Sequence, residues 1–486
     1  MSTGSSGVKP STPDHRLVEG RNTVRRRRRP RRSGKSVANT IHPRVLVVSH
    51  RAFNDKGCTG ITLSSFFKDW DPDGLAELYF HAEAPHGPMC HRYYRITDFE
   101  ALGSALRRQP CGRIIGGVGL AGTTGEVDPV PSPLQLRVYE FGWKQYASVM
   151  LLRDAIWRAA VWRTRDLDAW VDDFSPDVVF LVGGEYTFTY DVACHLARRR
   201  TVPLVVFLGD DVYSICRHSL SPLFWLQKAL LRRTLRGVLG SAARLFSTCD
   251  LMGEEYQRIF GAQYTTLPTP CGQIAPGPAP GAHDPVELSY LGKVSIGRWT
   301  TLRRIGEALS QINVAQQRAV LRIYTRERLD GLMLARLSIP GAMEFAGCLN
   351  AAEVEQVIER SDILVHVESM DEVSRKLTRL SLSTKIPQYL ASGKCLLAVG
   401  PAEVASIRYV QDHAAGMVVT DLETLRGNLE TLISGPELRR RYTVNSLRLA
   451  RQRHDSKIVT DLLATTLRGV MVAKSDAGAV LAAAHR

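Results

Sequence analysis

The 486-residue chain lacks any run of eighteen apolar residues, so no membrane-spanning helix is expected. Cysteine is sparse and scattered: there are nine, and the nearest two, Cys90 and Cys111, lie twenty-one positions apart. This excludes a CxxC redox pair and a zinc knuckle, and no metal site is expected. An odd number of dispersed thiols suits a reduced, cytoplasmic setting better than a disulfide scaffold. The amino-terminal arginines are not followed by the apolar stretch of a secretory signal. No internal repeat is apparent.

Positive charge is present in excess, +15 in formal terms, but it is unevenly placed. Residues 1–40 hold eleven Lys or Arg against Asp14 and Glu19, which is nine of the fifteen net charges. Arg25 to Arg29, Arg31 and Arg32 sit there among Ser, Gly, Thr and Pro, a composition that cannot bury a core and is expected to be disordered. Such a tail attracts anionic lipid or nucleic acid without sequence preference. A solvated extension is the simpler reading, and nucleic acid is not the expected partner. The remaining chain is only mildly basic, and 44% hydrophobic content is enough for two cores.

From Arg44 the pattern is regular. Val45 to Val48 is a short apolar strand ending in Ser49-His50, followed by a loop containing Gly57 and Gly60 and by a helical stretch from Ile61 to Trp70. Further strands are expected at Leu75–Phe80, Val178–Val182, Leu204–Leu208 and Leu245–Thr248, with one or two helices over Leu134–Phe174. Strands alternating with helices argue for a parallel sheet. A Pro/Gly linker over 271–286 separates this first unit, 41–270, from a second over 287–455. A helix at 456–472 is expected to return to the first unit, leaving a flexible tail at 473–486. The fold class is α/β, with two doubly wound, Rossmann-like parallel-sheet domains facing a cleft.

Carboxylates at the carboxyl end of a parallel strand face such a cleft. Asp210 and Asp211 follow Leu208 in this way, and Glu185 follows Val182, so these three are the candidate catalytic or acceptor-positioning groups. Helix capping is the competing role for either Asp. His50 reads as a structural histidine. The Asp-x-Asp triplets at Asp71 and Asp166 fall away from strand ends and are discounted as metal sites. Ser221 to Gly240 is a basic amphipathic helix, and residues 223–238 suit either peripheral contact with an anionic membrane or packing against the sheet.

Two segments of the second half carry more specific information. In Ser381 to Pro401, Ser383 and Thr384 are positioned to cap a helix, Pro387 fits a first turn, and Gly393 ends the helix before the strand Cys395–Val399. Lys385 sits in the first turn, where the helix dipole disfavours a cation; a bound phosphate would remove the conflict. In Glu287 to Gly292 a strand is followed by Lys293 and Arg298 and a helix from about Trp299 to Ile312. Glu368 ends the strand that begins after Asp362.

These stretches resemble the nucleotide-sugar half of GT-B glycosyltransferases, most closely the family 4 group. Gln388-Tyr-Leu-Ala-Ser-Gly-Lys-Cys395 is similar to that family's Glu-Ala-Met-Ala-x-Gly-x-Pro stretch, and Lys293 and Arg298 stand where the family places an Arg and a Lys five residues apart. The family's two glutamates are absent: Leu380 and Gln388 occupy their places. The resemblance implies a donor site for a nucleoside-diphosphate sugar made by Lys293, Arg298, Lys385, Ser383, Thr384, Gln388 and Glu368, with Gly57 and Gly60 approaching from the first domain. It implies transfer to an acceptor hydroxyl, lipid-linked in some relatives, with retention of configuration and without metal or other cofactor. Two alternatives share these features: a sugar-nucleotide epimerase of the same fold, and a non-enzymatic membrane or nucleic-acid binding module resting on the arginine tail and the basic helix.

Overall fold

The computed structural model describes residues 42–54, 58–116, 146–214, 219–279 and 283–484. The first sheet contains β1 (Val45–Ser49), β2 (Leu75–Tyr79), β3 (Tyr93–Arg95), β4 (Arg113–Ile115), β5 (Val178–Gly183), β6 (Leu204–Leu208), β7 (Arg244–Ser247) and β8 (Tyr264–Thr266), in the order β4-β3-β2-β1-β5-β6-β7-β8. Its pairs are parallel except β3 with β4. The second sheet contains β9 (Val286–Leu291), β10 (Ala319–Tyr324), β11 (Met343–Gly347), β12 (Ile363–Val367), β13 (Cys395–Val399) and β14 (Met417–Val419), in the order β11-β10-β9-β12-β13-β14 and parallel throughout.

The central strands are near-continuous Val, Ile and Leu runs because helices cover both faces. Val45 to Val48 and Leu396 to Val399 are fully buried. In each sheet the strand order reverses at one place, between β1 and β5 and between β9 and β12. Crevices for ligands open at the carboxyl ends of such strands.

Several boundaries differ from expectation. The first helix is Cys58–Phe66, earlier than Ile61–Trp70, so Gly60 is its third residue and not part of a loop. A Cβ at Gly60 would approach Asn54 Nδ2 to 2.5 Å, which accounts for the glycine by packing. Gly57 lies outside the described residues. The Trp-rich segment forms helices Ala147–Ala159 and Arg165–Phe174. The linker is pinned over part of its length, since Ala275 N and Ala279 N donate to Ala391 O and Gly393 O at 2.8 and 3.0 Å. The last helix runs Ser456–Ala484, and its Val459, Leu463, Leu467 and Val470 pack with Val45 and Phe66 beneath the first sheet.

The chain passes between the sheets a second time at a π-helical turn, Ala450–His454. His454 is fully buried there. Its Nδ1 donates to Thr269 O at 2.8 Å, and its Nε2 accepts from Tyr409 Oη at 2.8 Å. Burial lowers its pKa from 6.5 to about 4. The unfolded chain therefore binds the extra proton first as the pH falls, so stability present above pH 6.5 declines toward pH 4. Between pH 6.5 and about 5 the expected loss is ~2 kcal/mol. Urea unfolding across that range measures it, and a His454→Asn variant, which keeps a donor to Thr269, should lose this part of the slope. An equal slope in both proteins would assign the loss to other groups.

Candidate functional site

At the reversal point of the second sheet, β9 ends at Leu291 and a loop leads to the helix Arg298–Ile312. The loop is held from below. Tyr290 Oη donates to Lys293 O at 2.5 Å, and Val294 N, Ser295 N and Ser295 Oγ donate to the Glu327 carboxylate at 2.6, 3.0 and 2.5 Å. Burial acts to raise the Glu327 pKa, but these Ser295 and Val294 donors and Lys293 hold it below the usual carboxylate value. Ile296 and Gly297 both have left-handed backbones, φ 58° and 69°. For a β-branched residue this conformation costs on the order of 1–2 kcal/mol. A side chain at Gly297 would collide with Asp371 and Ser369, so the loop closes down on the segment after β12.

Lys293 is exposed at this edge. Lys385, the first residue of the helix Lys385–Ala391, reaches the same place: its Nζ lies 2.8 Å from where a Cβ at Gly292 would be. Two lysines from segments ninety residues apart are thus placed at the carboxyl end of β9. The helix start itself differs from expectation. Thr384 has helical backbone angles and its side chain makes no capping bond. Ser383 N donates to Ser406 Oγ at 2.9 Å, and Ser406 Oγ donates in turn to Ser381 O at 3.1 Å. Thr384 and Gln388 are exposed, and Leu380 is fully buried.

Arg298 turns inward. Its Nε and Nη2 donate to Glu368 at 3.2 and 3.0 Å. Glu368 is 2% exposed, and His366 Nε2 stands 3.3 Å from its Oε1. Although burial alone would raise its pKa, His366 and Arg298 hold the Glu368 carboxyl below its ordinary value. Arg298 and Glu368, expected as separate donor ligands, therefore form one paired unit beneath the crevice.

The acceptor-side candidates separate clearly. Asp211 Oδ1 accepts from Tyr256 Oη at 2.7 Å, Tyr213 N at 3.0 Å and Ser214 N at 3.1 Å, so it anchors the turn after β6. Asp210 is exposed beside it. Glu185 is paired with Lys228 Nζ at 2.8 Å. Removing the Asp211 carboxylate with Asp211→Ala is expected to cost about 1–3 kcal/mol, because the Tyr256 hydroxyl is left buried without its acceptor. Asp210→Ala should stay within about 0.5 kcal/mol of wild type. Thermal unfolding of both variants measures the contrast, and equal melting shifts would contradict it.

A cluster not expected from the sequence occupies the reversal point of the first sheet. His50, at the end of β1, stacks on Tyr186, which follows β5, with centroids 4.5 Å apart. Arg153 donates from Nη2 to His50 Nε2 at 2.9 Å and from Nε to Asp98 Oδ1 at 2.8 Å. Burial first, and then Arg153, hold the His50 pKa well below its usual value. The imidazole is therefore a neutral acceptor. The signal available was its strand-end position, the same argument applied to Asp210.

The basic helix Pro222–Leu239 packs through its second half, with Leu231, Leu235 and Leu239 fully buried. Leu223, Trp225 and Leu226 are 46%, 41% and 50% exposed. Among the described residues no helix is long and apolar enough to cross a membrane, and no group of three or more His, Cys, Asp or Glu is placed to hold a metal ion.

Residues 113–272 match the family model of the glycosyl transferase 4-like domain. No curated protein matches in sequence. Among solved structures, sucrose-phosphate synthase from Thermosynechococcus elongatus is similar at TM-score 0.56 and 12% identity, covering 88% of this chain and 100% of its own. HepE from Anabaena in complex with UDP gives TM-score 0.53 and 13% identity, with 88% and 100% covered. The α,α-trehalose 6-phosphate synthase of Burkholderia multivorans gives 0.53 and 11%, with 90% and 98% covered. The fold is that of GT-B glycosyltransferases.

Proposed function

We propose that this chain, a glycosyltransferase by its fold and its family-model domain, moves a sugar from a nucleoside-diphosphate donor to an acceptor hydroxyl. The observation that carries this reading is the placement of Lys293 and Lys385 at the end of β9, in the crevice where a parallel sheet binds ligands. A diphosphate there would meet two ammonium groups. As the glycosidic bond breaks, the leaving diphosphate gains charge, and preorganised cations stabilise that charge more than the bound ground state. The Arg298–Glu368 pair fixes the start of the helix behind them. Retention of configuration and independence of metal are part of the same proposal and follow from the family 4 resemblance.

HepE has been solved with UDP and with UDP-glucose, which supports a uridine nucleotide as the first donor to try. On the acceptor side, exposed Asp210 remains the carboxylate available to a hydroxyl, whereas Asp211 serves the turn. Calorimetric titration with UDP, GDP, ADP and TDP tests the donor site. Absence of binding by all four would falsify the reading. A transfer assay on Asp210→Asn, with nucleotide affinity measured alongside, tests the acceptor role.

Peripheral contact with an anionic membrane is proposed for the start of the basic helix, where Leu223, Trp225 and Leu226 are exposed and Arg233 is exposed further along the same helix. Sedimentation with phosphatidylglycerol vesicles at low salt should carry the protein down, and a Trp225→Glu variant should remain in solution. Equal behaviour of the two proteins would count against docking through this helix.

A further inference from the structure

A cavity of about 330 Å³ opens between the helices Ala147–Ala159 and Thr187–Arg200, lined by none of the residues of the second sheet. This volume lies within the range of small-ligand pockets. Its walls are aromatic: Trp157, Trp162 and Phe188 are at most 5% exposed. Trp157 is stacked on Phe188 at 4.0 Å, and Trp162 is held edge-on by His195 at 5.4 Å. The walls are therefore rigid.

Asp154 is set into this surface and is 8% exposed. Its Oδ1 accepts from Thr187 Oγ1 at 2.6 Å, and Oδ2 accepts no hydrogen bond from the described residues. Burial raises its pKa, opposed by the Thr187 bond and by Arg158 and Arg153. Asp154 lines the cavity, so its second carboxylate oxygen can accept from a donor bound there. The mouth carries Arg158, Arg163 and Asp191, so with Asp154 the four formal charges cancel.

These features narrow the ligand. An anion would face Asp154 at close range, a cation would pass two guanidinium groups, and a purely apolar molecule would leave the carboxylate unmet. A neutral polyol satisfies all three, because its hydroxyls donate to carboxylates and accept from guanidinium groups.

We infer that this cavity binds a neutral saccharide ring, with Asp154 accepting from a sugar hydroxyl and Arg158, Arg163 and Asp191 contacting the outer hydroxyls. Asp154 follows Arg153, and Thr187 follows Tyr186, in both cases one residue from the His50 cluster at the reversal point of the first sheet. A sugar held here is part of a saccharide acceptor whose reacting end extends toward the crevice. That last step rests on the glycosyl-transfer reading; the binding site does not.

The test is titration of the full chain with D-glucose, D-galactose, D-mannose and N-acetyl-D-glucosamine, followed by saturation-transfer NMR and calorimetry, with UDP and GDP titrated in parallel. At least one sugar should bind in the millimolar range. Asp154→Asn and Asp191→Asn should each weaken it about tenfold, the loss of one charge-assisted hydrogen bond, with nucleotide affinity unchanged. Asp191 is exposed, so its variant reports even where Asp154→Asn folds poorly. No saturation transfer from any of the four sugars, or undiminished binding in Asp191→Asn, overturns the inference. Sugar binding in a chain that binds no nucleotide would uphold the cavity and overturn the donor site instead.

Discussion

Replacing Glu368 with alanine should lower the stability of the protein by about 3–5 kcal/mol, the usual consequence of leaving one partner of a buried ion pair uncompensated. Glu368 is 2% exposed and accepts from both Nε and Nη2 of Arg298, whose side chain is only 16% exposed. The reverse change, Arg298→Ala, should be similarly damaging, since the carboxylate would retain only His366 at 3.3 Å. A double variant, Glu368→Leu with Arg298→Met, should recover most of the loss, because apolar replacement of a whole buried pair is often neutral. Urea midpoints of the single and double variants decide the matter. A loss below about 1 kcal/mol for Glu368→Ala would mean that the pair is solvated and contributes as a surface bridge does.

Lys293→Ala and Lys385→Ala should each weaken nucleoside-diphosphate binding by roughly ten- to a hundredfold, because a hydrogen bond to a charged group contributes about 1.5–3 kcal/mol. Both lysines stand at one strand end, so their effects are expected to couple and not simply add. Stability should respond in a different way. Lys293 is exposed, and its loss should be nearly silent in unfolding. Lys385 occupies the first turn of a helix, where removing a positive charge raises stability by about 0.3–1 kcal/mol. Weaker binding together with a higher melting temperature in Lys385→Ala would mark a charge kept for the ligand. Unchanged nucleotide affinity in both variants would remove the diphosphate from this crevice.

The two sheets were legible in the sequence because parallel strands buried on both faces are written as short apolar runs, and β1, β5, β6, β9 and β13 all begin within a residue or two of their expected positions. Lys293 and Lys385 were legible for a related reason: strand ends and helix starts can be located from local pattern alone. What a side chain does at such a position was less accessible. Arg298 and Glu368 are seventy residues apart, and nothing local says that they neutralise one another. Asp210 and Asp211 are adjacent and chemically identical, and only Tyr256, forty-five residues on, distinguishes the anchor from the exposed carboxylate. Ser383 and Thr384 carried a capping signal, but Thr384 takes helical backbone angles and makes no capping bond, and Ser406 instead receives the Ser383 N–H. His50 gains its setting from Arg153 and Tyr186, both remote in sequence.

Left to itself, an isoleucine in the left-handed region at position 296 would be outnumbered by other conformers, a cost of 1–2 kcal/mol corresponding to a factor of about 5–30. Glu327 reverses that ratio by accepting three hydrogen bonds from Val294 and Ser295. The fraction of molecules with this loop in its observed form is therefore set by a carboxylate that belongs to the segment after β10, and on the donor site proposed above any shortfall in that fraction would divide directly into the apparent affinity for donor.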